Sequence, residues 1–400
     1  MTLRITLAGG FGNGNFGNDA SLQAALIVLR AGFPDAAIEC LCDAPVIVAT
    51  RLGLPSMKLA LRPSGNWKLL DTALLRIPSG LFNWLRAFWI ARRFDVMLWP
   101  GTGVFDDYRT GPMGFPAQVF RWSVVARLMG KKLIFYGVGA GPIVNPLSRF
   151  FLKTAARCAH HRSYRDSGSK AFMASIGVDE TRSPVMPDIV IGQQVDEPPP
   201  VRSAPPLTIC LGVMSYRGWR IDEALGDDYR EKLARFVRWA EAREYRIRFL
   251  VAEPSDARAL TKLKALLGDD VDRGGGDMVV LNDVMNSIRE CDIVIGSRFH
   301  VLVAGLKLNR PCVSLSYGPK HDLLMSEAGL GEFCQPADYF DFDLLTRHVE
   351  TIAADPAYYS AIVAQRVSAM RARVTEVQAQ MLDVVAGVSS PAEPHRPATA

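Results

Sequence analysis

Short apolar runs alternate along the chain with segments whose apolar residues recur at helical spacing. The runs predict strands near Ile5–Ala8, Ile38–Cys42, Val96–Trp99, Leu133–Tyr136 and Val185–Pro187. A second set follows near Leu207–Gly212, Arg246–Val251, Met278–Leu281, Ile293–Ile295 and Cys312–Leu315. Helical patterns between most of these strands imply βαβ units, hence largely parallel sheets with helices on both faces. Between the two sets lies VDEPPPVRSAPPL, Val195–Leu207, with five prolines in thirteen residues. Such a stretch continues neither a helix nor a sheet and reads as a stiff linker. The expectation is an α/β chain of two Rossmann-like domains, residues 1–195 and 207–345, joined by a linker at 196–206. Helices are expected over 346–386, and the polar, proline-rich tail 387–400 has the composition of a disordered end. Two such domains are expected to form a central cleft, with ligands at the carboxyl ends of the strands.

Composition narrows the class. Apolar residues make up 49% of 400, and the formal net charge is +5. That mild basicity suits anionic substrates or a membrane surface, and it lacks the concentrated basic face of a nucleic-acid binder. The seven cysteines are scattered, mostly in apolar runs, as buried thiols in a reducing compartment are. No Cys or His spacing suits a metal, so no metal or resident cofactor is expected. The chain enters a strand at Leu3 with no secretory leader, and the apolar stretch Leu81–Pro100 is broken by Arg86, Arg92, Arg93 and Asp95. A cytoplasmic protein is expected. Between Arg51 and Pro100 the cations Arg51, Lys58, Arg62, Lys68, Arg76, Arg86, Arg92 and Arg93 outnumber Asp71 and Asp95, with Trp67, Phe82, Trp84, Phe88 and Trp89 interleaved. The region reads as an amphipathic helix packing its aromatics inward. The alternative is peripheral contact with anionic lipid on the inner face of the membrane.

Candidate chemistry clusters at strand ends. Gly9–Ala20, GGFGNGNFGNDA, follows the first strand and precedes a helix expected near Ala20, with Asn18 or Asp19 as its cap. Its glycines let backbone N–H groups approach an anion or a sugar. It contains Gly12-x-Gly14-x-x-Gly17, but three residues separate the strand from Gly12, too long for the tight turn that nicotinamide binding needs. PGTGVFDD, Pro100–Asp107, places Asp106 and Asp107 past a strand end, where a carboxylate suits acid/base work on a hydroxyl. YGVGAGP, Tyr136–Pro142, brings Gly139 to another strand end, and Arg165 closes a short strand before a helix capped by Asp166 or Ser167. The densest cluster is Cys291–Lys320. One strand end delivers Ser297, Arg298 and His300, and the next delivers Tyr317 and Lys320. An Arg fork grips a carboxylate or phosphate, Lys adds a point charge, and His moves a proton near neutral pH.

In this order, the blocks resemble the polysaccharide pyruvyl transferase family. The resemblance rests on Gly14-Asn15-Phe16-Gly17-Asn18-Asp19-Ala20, on Gly101-Thr102-Gly103 through Asp107, and on Gly137-Val138-Gly139-Ala140-Gly141-Pro142. It continues through Arg165-Asp166-Ser167-Gly168-Ser169, Gly296-Ser297-Arg298-Phe299-His300 and Tyr317-Gly318-Pro319-Lys320. Asn18-Asp19 stands where the family has Asp-Glu, and Thr102 interrupts a glycine triplet. The resemblance implies a glycosyltransferase-B-like fold and a ketal-forming transfer of pyruvate from phosphoenolpyruvate. The acceptor implied is a sugar of a cell-surface polysaccharide or its lipid-linked precursor. It implies that Arg298 and His300, with Arg165 and Lys320, hold the phosphate and carboxylate of phosphoenolpyruvate, and the mechanism expected for that transfer takes His300, Asp107 and Asp19 as catalytic groups. Arg298, Lys320, Arg165, Asn18, Ser297, Gly17 and Gly139 would bind substrate. Two other readings stay open. One is a nucleotide-sugar glycosyltransferase of the same fold, with Glu327 as a candidate ribose contact; the other is a non-catalytic sugar-binding protein.

Overall fold

A computed structural model describes residues 2–74, 77–107, 110–215, 223–268 and 281–387. The chain divides into two compact units. The first comprises residues 1–12, 21–189 and 373–400, and the second residues 13–20 and 190–372. The division falls at Ile189/Val190, so the proline-rich stretch 196–206 lies inside the second unit.

The first unit is built on β1 (Arg4–Gly9), β2 (Ala37–Cys42), β3 (Ser56–Lys58), β4 (Val96–Pro100), β5 (Gly103–Phe105), β6 (Lys132–Ala140) and β7 (His161–Tyr164). The order is β3-β2-β1-β4-β6, with β5 and β7 both pairing with the nine-residue β6, and every pairing is parallel. β1, β4 and β6 are buried on both faces, hence their unbroken apolar runs. The core stacks Phe135 between Trp99 and Phe105, with Tyr164 against Phe105. Two polar ties lock this unit: Arg4 grips Asp95 across β1 and β4, and the buried Trp122 indole N–H donates to the Leu59 carbonyl at 3.0 Å. The last turns of the helix Pro356–Ala386 complete it, with Leu382 against Gly32 and the Val385 carbonyl accepting from Lys132.

The second unit holds β8 (Thr208–Val213), β9 (Arg246–Val251), β10 (Ile293–Gly296), β11 (Cys312–Ser316) and β12 (Cys334–Pro336), all parallel in the order β9-β8-β10-β11-β12. In each sheet the chain first winds one way and then returns past its starting strand. The direction reverses between β1 and β4 in the first unit and, among the described residues, between β8 and β10 in the second. Open parallel sheets bind ligands outside the strand ends at such points.

Several expectations need adjusting. Val185–Pro187 forms only an isolated bridge from Val185 to Tyr164, and the strand of that region is His161–Tyr164. Met278–Val280 and the tail beyond Gly387 lie outside the described residues, and Leu281 opens the helix Leu281–Arg289. The first helix starts at Phe16, not near Ala20. Asn15 is its cap, since its side-chain oxygen accepts from the N–H groups of Gly17 and Asn18 at 3.1 and 3.3 Å. Gly17, Asn18 and Asp19 therefore sit in the first helical turn rather than in a loop.

Candidate functional site

The reversal point of the second unit is organised around Arg298, the N-cap of the helix Phe299–Lys307 after β10. Asp256 follows β9 and is fully buried. Its carboxylate takes Arg298 Nε at 3.1 Å and Nη2 at 2.5 Å, together with the backbone N–H groups of Ser215 and Glu253. Glu253 lies 3.1 Å from the same Nη2, which also donates to the Ser215 carbonyl. Burial opposes the charge on Arg298, but the Asp256 hydrogen bonds and the two carboxylates outweigh it, so its pKa is raised. The fork that the sequence offers to a phosphate is thus closed on an internal carboxylate. Among the described residues no hydrogen bond engages Nη1. Ser297 is buried, with its hydroxyl 3.0 Å from the Tyr229 phenol, whose pKa burial pushes up to about 12. It positions the turn.

One turn further on, His300 packs edge-on against Phe299 and Phe16, with ring centroids 5.3 and 5.8 Å apart. Gly17 faces the imidazole so closely that a Cβ there would overlap the ring. The segment Asn13–Ala20, carrying Gly17, Asn18 and Asp19, accordingly belongs to this unit. After β11, the helix Pro319–Glu327 brings in Lys320, whose ammonium lies over the rings of Phe299 and Tyr317 at 5.5 and 5.2 Å. The buried His321 closes this cage, edge-on to Tyr317 and with Nδ1 3.1 Å from the Gly318 carbonyl. The unit therefore gathers Arg298, His300, Lys320 and Gly17 about one set of aromatic rings. Glu327 ends the same helix, two turns beyond Lys320.

In the first unit, Asp107, Arg165 and Gly139 occupy the carboxyl end of the sheet. Both oxygens of Asp107 accept backbone N–H groups, from Val144 at 3.1 Å and Asn145 at 2.9 Å, so this carboxylate brackets the loop before the helix Pro146–Cys158. Its neighbour Asp106 lies against Gly103. Arg165 follows β7 and spreads its guanidinium over Gly139, where any side chain would collide with it. It pairs with Asp166 at 3.5 Å, and both are mostly buried rather than forming a surface pair. Thr102 stands at φ 59°, a left-handed conformation natural to glycine, between Gly101 at φ 53° and Gly103. The Thr102 carbonyl accepts the Gly139 N–H at 2.7 Å, which ties the turn to β6.

Asp256, Glu253 and Tyr229 escaped the sequence reading. Asp256 and Glu253 had a usable signal, since Glu253-Pro254-Ser255-Asp256 follows a strand directly, as the other candidate blocks do. Tyr229 had none, being one apolar position of a twenty-residue helix. Among the described residues no group of three or more His, Cys, Asp or Glu side chains is placed to hold a metal ion.

Solved structures share this fold. S. aureus MnaA, in its co-structure with UDP, matches with a TM-score of 0.60 at 10% identity, covering 99% of this chain and 100% of that one. The UDP-GlcNAc 2-epimerase of Neisseria meningitidis matches with a TM-score of 0.59 at 8% identity, covering 96% and 100%. The spinosyn rhamnosyltransferase SpnG matches with a TM-score of 0.56 at 16% identity, covering 96% and 100%. At these identities the likeness shows the two-domain, glycosyltransferase-B-like fold alone. No curated protein matches the chain by sequence. The sequence profile of polysaccharide pyruvyl transferases matches residues 15–319, from the helix-capping Asn15 to Pro319 beside Lys320. With three quarters of its length matched, the chain belongs to the polysaccharide pyruvyl transferase family.

Proposed function

We propose that this enzyme transfers pyruvate from phosphoenolpyruvate, in the cytoplasm, to a sugar of a cell-surface polysaccharide or its lipid-linked precursor, leaving it as a ketal. The observation that carries this reading is the grouping of Arg298, His300 and Lys320 past two adjacent strand ends of one sheet. Phosphoenolpyruvate places a phosphate and a carboxylate on three carbons, so its receptor needs cations at short spacing. Lys320 supplies a point charge and Arg298 its remaining nitrogen, held rigid by Asp256 and Glu253. His300 supplies the proton.

Protonation of the methylene carbon makes the central carbon electrophilic, and a sugar hydroxyl adds there as a base removes its proton. Phosphate then departs with the C–O bonding electrons. A second hydroxyl adds to the resulting cation and loses its proton, closing the ketal. Protons balance: one enters the methyl group, and the two hydroxyl protons go to the base and the medium. Asp19, in the helical turn that carries Gly17, is the proposed contact for acceptor hydroxyls, with Asn18 beside it.

Incubation with phosphoenolpyruvate and a panel of lipid-linked and nitrophenyl sugars should release phosphate and add a pyruvyl mass to one acceptor. Glycosyl transfer from a nucleotide sugar, without phosphate release from phosphoenolpyruvate, would replace this reading with the glycosyltransferase one.

A further inference from the structure

We infer that the helix Ile77–Ala91 of the first unit is a docking surface for an anionic lipid bilayer. Its rotation about its axis is fixed from inside. Asn83, Ala87, Ile90 and Ala91 are buried, and Asn83 bonds both the N–H and the carbonyl of Leu61, at 2.9 and 2.8 Å. The Asp71 carboxylate accepts the Ser79 N–H and hydroxyl, which anchors the first turn. That rotation turns Ile77, Leu81, Leu85 and Trp89 outward, four apolar residues at successive i+4 positions, exposed by 66, 60, 62 and 59%. Phe82 flanks the stripe, and Trp67 and Leu69 of the preceding helix Asn66–Ala73 are equally exposed. Solvent-facing helices of soluble domains carry polar residues at these positions.

The patch continues through ring contacts. Trp84 meets Phe120 at 6.0 Å, Phe120 meets Phe150 at 6.1 Å, and Phe150 is itself more than half exposed. Of the aromatics that the sequence interleaves with cations here, Trp84 and Phe88 pack on the core, whereas Trp67, Phe82 and Trp89 face out.

Charge selects the occupant. Lys58, Arg62, Lys68, Arg92 and Arg93 are exposed around the stripe, and Arg93 lies 5.8 Å from the Trp89 ring. Asp71 is the only acid between residues 51 and 94, and it is buried against Ser79. Beneath the patch Arg121 is buried, among the described residues with no hydrogen-bond partner for Nε or Nη2, and burial and then the nearby Arg86 charge lower its pKa. Apolar and aromatic side chains along one helix face, ringed by cations, match the boundary between anionic headgroups and acyl chains. No described helix is long and apolar enough to cross a membrane, so the contact is peripheral. This surface belongs to the first unit and does not depend on the donor chemistry of the second.

The test is co-sedimentation of the full chain with phosphatidylcholine vesicles, with and without phosphatidylglycerol. Binding to the anionic vesicles, weakened by salt, is expected. Replacing Leu81, Leu85 and Trp89 together by Ser should lower it by about tenfold or more, whereas Leu266→Ser in the second unit should not. Brominated lipid should quench the wild-type tryptophan fluorescence and quench the conservative Trp89→Phe variant less, a readout that survives if the triple variant misfolds. Failure to bind anionic vesicles, or equal binding by a folded triple variant, would overturn the inference. So would a wild-type dimer that the triple substitution dissociates while neither protein binds vesicles, since the face would then join two copies of this chain.

Discussion

Removing Asp256 should damage the second unit far more than removing its whole charge pair. The carboxylate is fully buried and accepts four donors: Arg298 Nε and Nη2, and the N–H groups of Ser215 and Glu253. In Asp256→Ala the mostly buried Arg298 keeps its charge and loses its bidentate partner, and two backbone N–H groups lose their acceptor. Breaking a buried pair from one side costs about 3–5 kcal/mol. For a unit of this size each kcal/mol lowers the melting temperature by roughly 2–4 °C, so a fall of about 6–20 °C is expected. Glu253 moderates the loss by remaining 3.1 Å from Arg298, which places the expectation toward the lower end. The double variant Asp256→Leu with Arg298→Met removes both charges and should be clearly more stable than Asp256→Ala alone. Urea unfolding of wild type, Asp256→Leu, Arg298→Met and the double variant gives the coupling. A cost below about 1 kcal/mol for Asp256→Ala, or strict additivity in the double variant, would mean that the two charges do not depend on each other.

Three further outcomes are expected. Thr102→Gly should stabilise the first unit by roughly 0.5–1 kcal/mol, because the left-handed backbone costs a β-branched residue about 1–2 kcal/mol and glycine's extra unfolded-state freedom returns part of it. A lower urea midpoint for this variant would count against strain at the turn. Gly17→Ala favours the helix by propensity, but its Cβ overlaps the His300 imidazole, so turnover should fall about tenfold or more while the melting temperature holds. Unchanged turnover would take His300 out of the chemistry or show that it moves freely. Burial, with a smaller contribution from Arg162, pushes the His161 pKa down to about 4. The unfolded chain takes up that proton below about pH 6.5 and the folded one does not. Stability should therefore be full above pH 6.5 and fall by up to about 3 kcal/mol towards pH 4. His161→Phe should flatten that slope, and an unchanged slope would assign it to other groups.

Much of this structure was legible because parallel strands buried on both faces write themselves as unbroken apolar runs, as in β1, β4, β6, β8 and β10. The strands that escaped notice, β3, β5 and β12, have three residues each, too few for a periodic signal. The start of the first helix was misplaced because Gly17 and Asn18 read as loop residues, and only the Asn15 cap explains why the helix begins before them. The placing of Arg298, His300 and Lys320 followed from strand ends. Their partners did not, because Asp256 and Glu253 come from another βα unit forty or more residues earlier, and no local pattern reports a contact over that distance. The two readings of the basic, aromatic region 51–100 could not be separated from sequence, since helical spacing alone does not say which face packs inward. The buried Asn83, bonded to Leu61, fixes which face of the helix Ile77–Ala91 packs inward.

The donor can be identified by calorimetry on the full chain with phosphoenolpyruvate and, separately, with UDP. Phosphoenolpyruvate should bind, Lys320→Ala should weaken it by about tenfold or more, and UDP should compete poorly if at all. Binding of UDP with no heat from phosphoenolpyruvate would contradict the pyruvyl-transfer reading and assign the second unit to a nucleotide.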